Sequence, residues 1–201
     1  MFLKEKNLRG IIVGGPGPLK ERFVEKDYLH YQLKKKVLGV KDTSYTGEYG
    51  LEELVERAKD LLEEAAISKE RNLLARFFSE LKKDGKVVYG YKDTLKALEM
   101  GAVETLLISE GFDWVRVRLK CSQCGLTKTK DLPRRIASDQ VCEKCRKTLA
   151  VEESKDLVDI LSEKAEELGV KVEFISVTTK EGIQFKQIGG IGAFLRYKIE
   201  G

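Results

Sequence analysis

All four cysteines of the chain lie in two pairs, CSQC (121–124) and CEKC (142–145), separated by 17 residues. A C-x2-C turn aims two sulfurs at one point, and two such turns supply the four thiolates that Zn²⁺ takes in a closed tetrahedron. The spacing predicts a zinc-ribbon-like site at Cys121, Cys124, Cys142 and Cys145. Such a site is structural, because four thiolates leave no open coordination position. The same residues have two rival readings. Redox-active C-x-x-C motifs would need each pair at a helix N-terminus, and neither pair follows a clear strand-to-helix junction. Disulfides are disfavoured in a mesophilic cytosol, although hyperthermophiles are an exception.

The cysteine segment is also the basic part of the chain. From Phe112 to Leu149, ten Lys or Arg stand against four acids, an excess of +6 in a chain of net charge +4, which leaves −2 for the remainder. Four thiolates around a divalent ion would reduce that excess to about +4. A localised excess of this kind is the natural contact for RNA or an acidic protein. Lys128, Lys130, Arg134 and Arg135 are its expected RNA-facing residues.

A second stretch, IIVGGPGPLK (11–20), has the outline of a phosphate-binding loop: a strand, glycines and then a lysine. It fails on its residues. A P-loop ends in Gly-Lys-Ser/Thr, whereas Lys20 stands between Leu19 and Glu21. Pro16 and Pro18 have no N–H to offer a phosphate. The loop reads as a rigid strand-to-helix turn, with Pro18 in the first turn of the helix. GGIG (189–192) precedes a strand instead of opening a helix, and reads as a tight turn. The single histidine, His30, reads as a helix-surface residue. No paired carboxylates, triad or HExxH arrangement stands out, so no catalytic residue is assigned.

The elements that must position these residues follow from periodicity. A short strand over Asn7–Gly14 enters the glycine turn; Leu19–Lys36 is helical with a break near Lys26–Asp27; residues 37–45 form a second strand. Leu51, Leu54, Val55, Ala58, Leu61, Leu62 and Ala65 recur at helical spacing, and a second pattern runs from Leu73 to Leu81. No Pro or Gly separates them, which predicts one long helix, or two nearly continuous ones, with the join at the polar Ser68–Asn72. VVYGY (87–91), a helix capped by Asp93 and ended by Gly101, and VETLLIS (103–109) form a parallel βαβ unit. WVRVRLK (114–120) alternates as a half-exposed strand. Ser154 caps a helix that ends at Gly169, and strands over 171–177 and 193–199 close the sheet.

The 42% apolar content is enough for a core, and the Lys- and Glu-rich charged fraction of 35%, with only two Asn, suits a protein from a hot environment. No apolar run approaches the roughly 18–20 residues of a membrane span. MFLKEKNLRG lacks the apolar stretch of a signal peptide, so a cytoplasmic location is expected.

Taken together, GGPGP, VKDTSYTGEYGLEELV, KDTLKALEMGAVETLLIS and EGIQFKQIGGIGAFLRY resemble the archaeal and eukaryotic class-1 peptide chain release factors over nearly the whole chain. The paired C-x-x-C motifs make the archaeal branch the better match. The resemblance implies an α/β architecture. Residues 1–66 would be part of the family's middle domain. A long helix would join it to an α-β-α sandwich over 67–201, similar to kink-turn-binding ribosomal proteins, with a zinc-ribbon-like subdomain inserted at 119–149. The family's middle domain carries a Gly-Gly-Gln loop for peptide release, and no Gly-Gly-Gln occurs in this sequence.

What the resemblance leaves is docking on the ribosome and its RNA. It also implies recruitment of an elongation-factor-type translational GTPase, with an ABC-type recycling ATPase as a second partner. The family's glycine-rich partner-binding motif maps to Gly192, Ala193, Phe194, Leu195, Arg196 and Tyr197, of which Phe194, Leu195 and Tyr197 read equally as a core strand. A pelota-like ribosome rescue factor and a free-standing RNA-binding protein with a zinc ribbon are the competing readings.

Overall fold

The structure, a computed structural model, describes residues 8, 10–26 and 28–199. They fall into two compact units, Met1–Glu70 and Arg71–Gly201. Asn7 and Arg9 of the first expected strand, and Asp27 of the expected helix break, lie outside the described residues.

In the first unit, β1 (Ile11–Gly15) and β2 (Val37–Asp42) pair in parallel, joined by α1 (Leu19–Glu25) and the short α2 (Tyr31–Lys34). Gly17 takes a positive φ of 64° and Pro18 is the N-cap of α1. Lys20 is buried: its ammonium donates to the Gly17 carbonyl and lies 2.6 Å from Asp42 Oδ1 and 3.0 Å from Glu21 Oε1. The cation of the loop is thus engaged internally, tying the turn to the end of β2. His30 is the N-cap of α2, where its Nδ1 accepts the Gln32 N–H at 3.3 Å.

α3 (Gly47–Arg57) and α4 (Lys59–Lys82) follow. The helical break falls at Ala58, not at Ser68–Asn72. The Ala58 N–H turns back to Glu56 and Val55, and its carbonyl accepts Leu62 N–H at 3.0 Å to start the next helix. Good helix formers then carry α4 through the polar stretch without interruption.

The second unit is built on a four-stranded sheet of order β3 (Val87–Tyr89), β9 (Ile191–Leu195), β4 (Val103–Ser109), β8 (Lys171–Ile175). β9 runs antiparallel to β3 and β4, and β8 parallel to β4. β3 and β4, joined by α5 (Tyr91–Glu99), therefore point the same way without being neighbours, because β9 is inserted between them. Alternation along β4 and β9 sorts the core. Leu106, Ile108, Ile191, Ala193 and Leu195 face α5 and α6 (Leu157–Glu167). Leu107 and Phe194 face the second half of α4 and α7 (Lys180–Gln187). The result is an α-β-α sandwich.

Several predicted boundaries move. α5 starts after Gly90, with Asp93 in its first turn and not at its cap. Ser154 lies in strand β7 (Ala150–Asp156) opposite Val117, and Asp156 precedes α6 instead. β9 stops at Leu195, where the Arg196 N–H leaves the sheet for the Ala102 carbonyl at 2.8 Å. The glycine stops at Gly101 and Gly169 hold. Each has a positive φ, and the next N–H (Ala102, Val170) returns to Ala97 or Ala165 in paired end-of-helix bonds.

Between β4 and α6 the chain forms a three-stranded antiparallel ribbon of order β6 (Thr127–Pro133), β5 (Trp114–Lys120), β7 (Ala150–Asp156). Its sheet runs from 114 to 156, wider than the 119–149 insertion expected, because the strands holding the cysteine turns continue toward the sandwich. As the alternation of β5 predicts, Val115, Val117 and Leu119 are buried on one face.

Phe77 packs edge-on against Phe78, Phe185 and Phe194, with ring centroids 5.5–5.8 Å apart. Phe77→Ala removes the shared ring of α4, α7 and β9, and chemical denaturation is expected to show a loss of about 3–5 kcal/mol.

Candidate metal centre and basic face

The two cysteine turns are built alike. In the first, Cys121 N–H donates to the Leu126 carbonyl at 2.9 Å and Gly125 N–H to the Cys121 carbonyl at 3.0 Å. In the second, Cys142 N–H donates to Lys147 at 2.8 Å and Arg146 N–H to Cys142 at 2.9 Å. Each turn needs a left-handed residue just after its second cysteine. Gly125 supplies it at φ 71° and Arg146, less comfortably, at φ 55°. Neither turn opens a helix, so the arrangement the redox reading requires is not present.

These turns bring the four sulfurs together, all within 4.8 Å of one another. Cys121 and Cys145 are 3.3 Å apart, Cys124 and Cys142 3.6 Å, and Cys124 and Cys145 3.9 Å. A tetrahedron with metal–sulfur bonds of about 2.3 Å has edges of about 3.8 Å, so the set fits a tetrathiolate ion and could hold a metal. No disulfide joins them. Backbone N–H groups of Cys124 and Gln123 point at the Cys121 sulfur and, with the Cys145 thiol, lower its pKa to about 6. Cys142 is lowered in the same way by the N–H groups of Cys145 and Lys144. The turn N–H groups thus favour thiolate, the form that binds metal, at Cys121 and Cys142. Against the N–H groups of Leu126 and Lys147, the neighbouring Cys121 sulfur raises Cys124 and Cys145.

The residues expected to meet RNA are mostly engaged elsewhere. Lys128 pairs with Glu143 at 2.5 Å, Lys130 donates to Gln140 at 3.1 Å, and Arg134 donates to Asp113 at 2.8 Å and also to Asp156. Arg135 is exposed and has no such partner among the described residues. Of the expected partner-binding residues, Gly192, Ala193, Phe194 and Leu195 are buried in β9, one of the sheet's two interior strands, while Arg196 and Tyr197 are exposed at its end. Phe194 also lies under the Arg76 guanidinium, 4.7 Å from its ring centre.

One joint escaped sequence reasoning. Asp131 of β6 receives two bonds of 2.7 Å from Arg116 of β5 and a third from the Tyr91 hydroxyl at the start of α5. Arg116 and Asp131 are direct cross-strand partners, a signal available once the hairpin register is drawn; nothing in the sequence announces Tyr91. The Arg116 guanidinium, aided by Tyr91, holds the Asp131 carboxyl below its ordinary value, and burial next to that carboxylate raises the Tyr91 hydroxyl.

Family models match the chain almost end to end: eRF1 domain 2 over residues 1–64 and eRF1 domain 3 over 67–199. The chain belongs to the eRF1 family. Peptide chain release factor subunit 1 of Thermococcus kodakarensis is 52% identical over 206 residues, covering 99% of this chain and 50% of the relative. The chain thus spans about half the length of the curated relatives it matches. The C-terminal domain of the peptide chain release factor from Methanosarcina mazei superposes with a TM-score of 0.59 at 37% identity, over 77% of this chain and 98% of that one. At the level of fold alone, ribosome-bound archaeal Pelota, solved with ABCE1, gives a TM-score of 0.58 at 22% identity, over 99% of this chain and 46% of that one.

Two outcomes are expected of this eRF1-family chain. Stripping metal with a chelator should expose the amides of 115–151 to hydrogen exchange while those of β4 and β9 stay protected. Second, a carboxyl held below its unfolded pKa contributes stability that is present above about pH 4 and lost as pH falls through the lower, folded value. Asp131→Asn should therefore cost about 1–2 kcal/mol at pH 7, discounted for the partial exposure of Arg116, and flatten the decline in stability below pH 4 relative to the parent.

Proposed function

We propose that this chain is the part of a translation termination factor that docks on the ribosome and recruits an elongation-factor-type translational GTPase, and that it does not itself release peptide. The carrying observation is the pairing of a near end-to-end match to eRF1 domains 2 and 3 with the lack of Gly-Gly-Gln in these 201 residues. The recruiting surface is centred on Arg196 and Tyr197, which extend from the end of β9 into solvent. Tyr197 is held by a bond from its hydroxyl to the Met100 carbonyl at 3.3 Å. The buried Gly192–Leu195 act by fixing where those two side chains emerge. A structural zinc at Cys121, Cys124, Cys142 and Cys145 keeps the ribbon folded. An ABC-type recycling ATPase is the second partner, a reading supported by the structural relative solved with ABCE1.

A pelota-like rescue factor shares the fold and the lack of the tripeptide; the 52% identity to a release factor, against 22% to Pelota, favours termination. Calorimetry with a GTP-bound archaeal elongation-factor-type GTPase is expected to show binding that weakens at least tenfold in Arg196→Ala/Tyr197→Ala. A stop-codon-dependent release assay with the chain alone is expected to stay at background. Peptide release by the chain, or GTPase binding unaffected by the double substitution, would contradict this reading.

A further inference from the structure

At the root of the ribbon lies an open cleft of about 500 Å³, lined among others by Gly111, Phe112, Trp114, Arg135, Lys186 and Gly190. Its two cations come from different parts of the unit. Arg135 sits in the short 3-10 turn (Arg134–Ile136) that follows β6, and Lys186 in the last turn of α7. The stem of Lys186 lies across Gly111, where a Cβ would fall 2.6 Å from its Cε, so a side chain there would push the end of the lysine aside.

Neither cation is neutralised by an acid, a state that Lys144, Arg146 and Lys147 share at the cysteine end of the ribbon; what sets these two apart is that they line one cleft. Elsewhere on the ribbon Arg116, Arg118, Lys120, Lys128 and Arg134 each meet a carboxylate. Arg135 and Lys186 have no hydrogen-bond or ion-pair partner among the described residues. The one acid lining the cleft, Asp113, is already paired with Arg134. The cleft therefore presents two unpaired cations, and a net charge of about +1, beside an aromatic wall. Trp114 stacks on Phe112 at 5.9 Å and leans on Tyr91 at 5.0 Å.

We infer that this cleft is an RNA-binding site that clamps the phosphodiester backbone, with adjacent phosphates on Arg135 and Lys186 and a base or ribose against the Phe112–Trp114 edge. A planar guanidinium takes two phosphate oxygens at once, an ammonium takes a neighbouring phosphate as a point charge, and the apolar wall suits the non-charged parts of a nucleotide. The volume lies in the range of sites that hold a small organic ligand, larger than one inorganic phosphate needs. Bound RNA would bridge the ribbon and the sandwich. This deepens the ribosome-docking half of the proposed function and does not depend on the GTPase half.

Trp114 is the chain's single tryptophan, so its emission reports on the cleft directly. The metal-loaded full chain is titrated with a single-stranded 12-nucleotide oligouridylate at several salt concentrations. The expected result is a saturable change in Trp114 emission. In Arg135→Gln/Lys186→Gln, affinity should fall tenfold or more. The log–log salt slope should shrink by about 1.4, at roughly 0.7 for each single-strand phosphate that no longer meets a cation. Lys82→Gln/Lys83→Gln, an equal charge loss elsewhere, should leave both unchanged, and the Arg135→Gln/Lys186→Gln variant should bind the GTPase as the parent does. The inference is overturned by no emission change with the parent protein. It is equally overturned by parent-like affinity and slope in the double variant, by tighter binding of polyglutamate than of RNA, or by saturation with inorganic phosphate at the same concentration.

Discussion

Four sulfurs have to converge on one point, and the ribbon is arranged to let them. Its own apolar core is small: Val115, Val117, Leu119, Leu132 and Leu149, with Cys121 and Cys142 completing it. A sheet of three strands with so little to bury gains from a further tie, and an ion on the four sulfurs could supply it where hydrophobic area cannot. The consequences reach beyond the cysteines. The ribbon holds β6 in register with β5, the register sets Asp131 opposite Arg116, and Asp131 reaches the Tyr91 hydroxyl on the sandwich. The same strand then delivers Arg135 to the wall of the cleft.

Strand β9 plays the corresponding part in the sandwich. Although it is the last strand among the described residues, it lies between β3 and β4, so the sheet closes only when this segment arrives. Its residues alternate between the two cores, with Phe194 joining Phe77 and Phe185 on one side and Ile191, Ala193 and Leu195 joining α5 and α6 on the other. A motif that resemblance marks as partner-binding is therefore mostly architecture. Only its exposed end, Arg196 and Tyr197, remains to touch anything else.

Local signals in the sequence carried far. Paired cysteines, the alternation of WVRVRLK and the helix stops at Gly101 and Gly169 are statements about neighbouring residues, and the structure repeats them. Long-range facts were not legible. Periodicity cannot say that β9 inserts into the expected βαβ pair, nor that β7 runs through Ser154. The basic residues show the limit most clearly. Composition located the excess charge, but Lys128, Lys130 and Arg134 are engaged by groups brought near only by folding, and Lys186, far along the chain, joins Arg135 instead. In GGPGPLK the prolines offer a phosphate no N–H, and the lysine is engaged within the fold. Its real partner, Asp42, is a residue only the parallel pairing of β1 and β2 could bring near.

In the function proposed for it, this member of the eRF1 family is held in shape by zinc on four thiolates. X-ray absorption at the zinc edge, on protein purified without chelator, tests it most directly. One zinc per chain is expected, with a single shell of four sulfurs at about 2.3 Å. A shell containing nitrogen or oxygen, or folded protein with four reactive thiols and no metal, would contradict it.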